Sequence, residues 1–392
     1  MKNIRRDFLP VILGSDEGAY GCARLFYDGC GAEALIVAAE ANPATSHSRI
    51  LFRKIIPGLD NHTVFRTEIP RLLKKLRCDF PKIILVPCSA EFSDLLYRNA
   101  PKISKYIVNP LSPPEVYSKL RNKRSFFSIC ETLGFSHPDY LISPPSGLCS
   151  RTLPFEFPCV LSPVNCAASG FQSYPIKNKK RLYVCYNRAD FISVIDSFLA
   201  AGYNEPVSVR HFAGDPDNLR IVTAYCGRNG KVRLVGVGKP IYKKPPEGDN
   251  QYRQFCALLT VRDRKLCDTA ADFIERTGYR GFVSMAAEID AESGEYLFSG
   301  FYPYLSGASY HIHTAGKNLA RCLVDDTIDL LPFQKREYAE DAGLWSDLTF
   351  SGLCRYTGIR FKESPDSAFS YSFDISPARL LTVYKIKNRT LN

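Results

Sequence analysis

No C-x-x-C pair occurs in the sequence, although Cys appears 14 times in 392 residues. The nearest pairs, Cys159 with Cys166 and Cys22 with Cys30, are too far apart for a zinc ribbon or a dithiol redox motif. No apolar run approaches the roughly 20 residues that a membrane helix needs, so a helical membrane protein is excluded. Met1-Lys2-Asn3-Ile4-Arg5-Arg6 is followed by Asp7 and only a few apolar residues, too short a stretch for a secretory signal. Unpaired Cys without a secretion signal are expected to be small buried hydrophobes in a reducing cytoplasm. There is no internal repeat, no low-complexity segment and no Ser-His-Asp or Cys-His arrangement with supporting motif context.

What is present is an ordinary globular composition, 45% hydrophobic and 23% charged, in a chain long enough for two or three domains of roughly 150 residues. Lys and Arg number 51 against 40 Asp and Glu, a net charge of +11. The excess is dispersed, which argues against a nucleic-acid surface. Its densest run, Lys177, Lys179, Lys180 and Arg181, suits a phosphate-bearing small ligand better than a duplex.

Strand runs at residues 9–13, 35–37 and 83–86 alternate with helical patterns, which predicts a parallel, doubly wound α/β sheet. The glycines after the first strand, Gly14, Gly18 and Gly21, are not spaced G-x-G-x-x-G, and a tight turn is favoured over a dinucleotide site. Pro110, Pro113 and Pro114 mark a boundary, after which residues 118–133 read as one helix ending at Gly134. Short strands follow at 159–161, 182–185, 207–209, 219–223 and 232–237, with a helix over 189–201. A long helical pattern is predicted from Arg253 to Thr277, then a hairpin of strands 281–289 and 295–301, then a helix over 315–324.

The ordered set of pieces resembles the ATP-grasp carboxylate–amine ligases, of the D-aspartate ligase type. The pieces are Pro10 to Asp16 with Gly21 and Ala23-Arg24; Lys123 before Phe126-Phe127 and Cys130-Glu131; Phe157 to Leu161; Phe212 to Arg220; Gly278 to Phe282; and Ser309-Tyr310 through Gly316 to Ala320. The resemblance implies an ATP-grasp fold of the α/β (α+β) class with four parts. These are a doubly wound N-terminal domain (1–115), a small lid (116–205), a larger mixed subdomain (206–335), and a C-terminal extension packing on the large subdomain (336–392). It also implies an activity, in which ATP phosphorylates a carboxylate and an amine attacks the acyl phosphate. Its ligands would be ATP, Mg²⁺ and a small carboxylate or peptide-like substrate, with a protein partner as an alternative role. Nucleotide contacts would fall on Lys123, Ser162, Val209, Arg210, Phe212, Asp215 and Asp217, and catalytic roles on Arg220 and Glu288.

Measured against that family pattern, charge is missing where phosphoryl transfer needs it. The phosphate-binding lysine falls on Ser162, and the metal-ligand positions fall on Ala286, Gly300 and Tyr302. Glu288 lies two residues beyond Ala286 on the same strand face and is the candidate for a relocated metal ligand. The lysine-rich loop is the candidate to replace the charge missing at Ser162. Nucleotide binding is therefore favoured over turnover, and a pseudo-ligase acting through a ligand or a partner is the alternative. His311 and His313, two apart, are expected to face one way on an extended segment and to line a cleft more readily than to bind a metal.

Overall fold

The computed structural model describes residues 4–164, 171, 173–177, 179–180, 182–212, 216–241, 256–290, 292–362, 364–369 and 371–389. Strands β1 (Phe8–Leu13), β2 (Ala34–Ala38), β3 (Leu51–Ile55) and β4 (Lys82–Pro87) form a parallel sheet in the order β3-β2-β1-β4. Alternation along β1 divides its side chains between two cores. Phe8 and Ile12 pack with the helix Glu17–Cys30, whereas Leu9, Val11 and Leu13 pack with the helices His62–Leu76 and Ala90–Arg98. The sheet is thus covered on both faces, as a doubly wound unit requires.

The predicted helix over 118–133 is two helices, Pro114–Arg121 and Lys123–Leu133. Asn122 has extended backbone between them and caps the second by accepting from the Ser125 amide. Gly134, at φ +75°, ends it. A second, antiparallel sheet holds β5 (Tyr140–Ser143), β6 (Cys159–Pro163), β7 (Tyr183–Cys185) and β8 (Val207–His211) in the order β5-β8-β6-β7. The helix Arg188–Ala200 seals one of its faces through Phe191, Ile195 and Phe198.

The third sheet has seven strands: β9 (Leu219–Cys226), β10 (Val232–Pro240), β11 (Ala257–Val261), β12 (Gly281–Ile289), β13 (Tyr296–Tyr302), β14 (Glu337–Ala339) and β15 (Leu344–Ser346). Their order is β13-β12-β9-β10-β11-β15, with β14 parallel to β10. One correction concerns β11. The stretch read as the start of a long helix is an extended strand between β10 and β15, and the helix begins only at Arg264, where Asp263 caps it. Ala257-Leu-Leu suits either state locally, and pairing on both sides decides for the strand.

The helix Arg264–Thr277 covers one face of the large sheet. The helix Leu319–Thr327 covers the other and joins it to Glu17–Cys30 in a core shared with the first sheet. The C-terminal extension divides between two supports. Its β14 and β15 widen the large sheet, but from Ser367 onward it lies on the first domain. There Arg24 donates to the carbonyls of Ser367 and Ala368, and Arg379 to those of Ala44 and Ser46. Among the described residues no helix is long and apolar enough to cross a membrane.

Candidate functional site

The pleat of the lid sheet decides which side chains face the large sheet. Val207 and Val209 on β8, and Cys159 and Leu161 on β6, point into the lid core under the helix Arg188–Ala200. Ser208, Arg210, Val160 and Ser162 therefore emerge on the other face. The register puts Ser162 opposite Ser208 and Val160 opposite Arg210. On the large sheet Val283, Met285 and Ala287 enter one core, which turns Ser284, Ala286 and Glu288 to the other face, where Ala286 packs against the core shared with the first sheet and Glu288 meets the lid.

Arg210 and Glu288 meet between the two sheets. Arg210 Nη1 donates to Glu288 Oε1 at 2.5 Å and to the His211 carbonyl at 2.9 Å. Arg210 is 9% exposed and Glu288 2%. A buried pair of this kind holds its two elements in register, because removing either partner strands the other charge. Glu288, the candidate for a relocated metal ligand, is thus engaged by an arginine of the lid. Its burial comes from a strand 78 residues away, which no local pattern reveals. Arg210 Nε and the neighbouring Ser208 Oγ are both buried without a hydrogen-bond partner.

The metal-ligand positions are brought together without metal-ligating groups. Ala286 and Gly300 are direct partners across β12 and β13, with a bulge following. A Cβ on Gly300 would lie 2.6 Å from the Tyr302 hydroxyl and 2.9 Å from Cζ, so the Tyr302 ring folds back over the glycine. Tyr304 meets the same ring edge-on, with centroids 6.4 Å apart. Magnesium requires an octahedral set of oxygen ligands. Ala286 and Gly300 offer no side-chain oxygen, Tyr302 covers the space, and Glu288 is bound to Arg210. The described residues contain no cluster of three or more His, Cys, Asp or Glu that could hold a metal. The residues present do not fit the magnesium pair that the family resemblance implies.

The remaining predicted residues scatter. Arg220 is opposite Ala287 and shares the face of Val222 and Ala224, away from Glu288. Its Nη1 donates to the carbonyls of Asp217 and Leu219 at 2.6 and 2.8 Å. Asp217 is exposed and pairs with Lys239 at 2.6 Å, and that hydrogen bond holds its carboxyl below the usual range. Phe212 packs with Val160 and Leu219 where the two sheets meet. Val209 is wholly buried in the lid core, so only its backbone is available to a ligand. Lys123 is the half-buried first residue of its helix. Asp215 and Arg181 lie outside the described residues. Of the basic loop, Lys177 is exposed, the Lys179 ammonium lies 5.8 Å from the Phe171 ring, and the Lys180 amide donates to the Tyr183 hydroxyl.

His311 and His313 are not on an extended segment. They belong to a helical turn, His311–Thr314, where residues two apart diverge. The His313 ring meets that of Tyr310 at a tilt of 55°, while His311 is fully buried between Thr260 (Nδ1, 3.1 Å) and Thr223 (Nε2, 3.2 Å). Thr260 Oγ1 spends its proton on the His311 carbonyl, so it accepts from Nδ1–H, and Thr223 donates to Nε2. Ser284 and Ser309 extend this chain toward the outward face of β12. Burial alone lowers the His311 pKa to about 3 and keeps the ring neutral. Ser208, Thr223 and Ser284 were missed in the sequence, although their alternation with Val and Met gave each a definite face. At the end of β1, Asp16 caps the helix Glu17–Cys30. Desolvation, aided by Glu17, pushes its pKa up to about 6.

No family model matches the chain. Over 349 residues it is 28% identical to the D-aspartate ligase of Enterococcus faecium (strain Aus0004), covering 86% of this chain and 82% of the relative. Among solved structures, an ADP complex of N5-carboxyaminoimidazole ribonucleotide synthetase superposes with a TM-score of 0.60 at 14% identity, over 90% of this chain and 85% of that one. A biotin carboxylase–ATP complex from Campylobacter jejuni gives 0.61 at 12% identity, over 87% and 76%. The fold they share with this chain is the ATP-grasp fold.

Proposed function

We propose that this chain, which belongs to the ATP-grasp carboxylate–amine ligase family, binds a nucleotide between its lid and large sheets without magnesium-dependent phosphoryl transfer. The observation that carries this reading is the Tyr302 ring lying over Gly300, directly across the ladder from Ala286. Acyl-phosphate formation builds charge on the transferring oxygens, and catalysis there consists mainly of cations held in place. A tyrosine over a glycine and an alanine offers none. The protein would act by holding its nucleotide together with a small carboxylate or peptide-like ligand, and by presenting that state to a partner.

A turnover reading rests on Glu288, which shares the strand face of Ala286. It requires Arg210 to release that carboxylate. Calorimetric titration with ATP in magnesium and in EDTA, combined with phosphate release over a panel of carboxylates and amines, separates the two. Equal affinity with and without the metal and no phosphate release are expected. Magnesium-dependent release that disappears in Glu288→Gln would establish a working ligase instead.

A further inference from the structure

The helices Pro114–Arg121 and Lys123–Leu133 bury one face in the core and leave a flanking row of apolar side chains half-covered. Phe126, Phe127 and Cys130 are enclosed against the large sheet, whereas Val116, Ile129 and Leu133 are only partly buried beside them. With Leu120 these three floor a groove of about 620 Å³ that ends at Arg276 and Thr277, the last turn of the helix Arg264–Thr277. It lies outside the cleft between lid and large sheet, on the far side of the helix that Lys123 opens.

Two rows of i, i+4 spacing line it along Lys123–Leu133: Arg124, Ser128 and Thr132, and Ser125, Ile129 and Leu133. Such rows are the ridges between which a second helix packs. Each row is about 12 Å long at the rise of a helix, a little over two turns. Ser128 and Thr132 are short and exposed, which lets another backbone approach closely.

The rim is basic at both ends. Lys119 and Arg124 are exposed on either side of Asn122, and Arg276 is exposed at the other end, its guanidinium 5.3 Å from the Phe135 ring. None of the described lining residues carries a carboxylate. Glu131, the acidic residue of the helix, is not among them and lies 3.3 Å from His137. Arg276 pairs with Asp272 at 3.4 Å, but both are exposed, so the exchange for another carboxylate costs little.

We propose that this groove docks an acidic amphipathic helix of a partner protein, its apolar face on Val116, Leu120, Ile129 and Leu133 and its carboxylates reaching Lys119 and Arg124 at one end and Arg276 at the other. That the protein works through a partner rests on the function proposed above, whereas the groove rests on its own residues.

The test is fluorescence anisotropy of a labelled helical peptide of about 14 residues, with a Leu stripe at i, i+4 spacing and Glu toward both ends, titrated with the full chain. Binding should weaken at least tenfold when each Glu is replaced by Gln, and also as salt is raised. Lys119→Glu made together with Arg124→Glu should cost at least tenfold. Ser128→Tyr, which fills the groove from an exposed position, should do the same with no change of charge and an unchanged urea midpoint. No peptide binding, binding indifferent to Glu, or binding that survives Ser128→Tyr would overturn the docking site. A dimer in sedimentation that Ser128→Tyr dissolves would overturn it too, giving the groove to a second copy of the chain. ADP binding in EDTA, measured alongside, tests the proposed function separately: peptide binding without ADP binding keeps the groove and overturns the nucleotide reading, and the reverse result does the opposite.

Discussion

His311 has no solvent exposure and both ring nitrogens meet hydroxyls, so the native state holds it neutral down to about pH 3. In the unfolded chain the same ring takes up a proton near its ordinary value of about 6.5. Between those limits the unfolded state binds more protons, and stability falls as pH drops, by at most about 1.4 kcal/mol per pH unit. Asp16 works in the opposite direction. Its folded pKa of about 6 lies above the ordinary aspartate value of 3.8, so the native state binds the extra proton in that window and loses stability as pH rises through it. In urea denaturation across pH 4 to 7.5, His311→Gln should flatten the acid-side loss. Asp16→Asn keeps a good helix cap and should be more stable than the parent at pH 7.5, with the two converging near pH 4.

At the scale of elements, the β12–β13 hairpin carries the clearest consequence. Adding a methyl group at Gly300 drives it into the Tyr302 ring, so Gly300→Ala should cost about 1–3 kcal/mol in thermal or urea unfolding. The cost should shrink in a Tyr302→Ala background, because the two sites share one contact. Installing Ala286→Asp, Gly300→Glu and Tyr302→Asn together should restore oxygen ligands, and nucleotide affinity should then rise at least tenfold on adding magnesium.

This hairpin was legible in sequence because both strands alternate cleanly and a turn separates them. β11 was not, because Ala257-Leu258-Leu259 carries no period and only its neighbours β10 and β15 fix it. β3, whose Phe52 to Ile55 are all exposed, gave no apolar run to read. At the site, the missing ligands were legible residue by residue. The Arg210–Glu288 pair and the exile of Arg220 to the opposite face were not, because they depend on which face each strand turns to a separate sheet.

On the scale of the whole molecule, the C-terminal segment acts as a strap across the first domain. Arg379 lies over the Tyr20 ring at 4.2 Å, and its Nε is 3.5 Å from the buried Asp374 carboxylate, which also accepts from the Tyr20 hydroxyl and the Arg49 amide. Arg379→Ala strands that carboxylate and should cost about 3–5 kcal/mol in urea unfolding, with earlier proteolytic cutting in the last 30 or so residues. Arg379→Met combined with Asp374→Asn should lose distinctly less.

The Arg210–Glu288 pair has one more property that matters to the whole. Screening by dissolved ions acts on charges that face water, over a distance of about 8 Å at physiological ionic strength. The exposed Asp217 faces that atmosphere directly, whereas Arg210 and Glu288 are buried and are screened much less. The Arg210–Glu288 contact between lid and large sheet is therefore far less sensitive to dissolved salt than the exposed pair of Asp217 with Lys239.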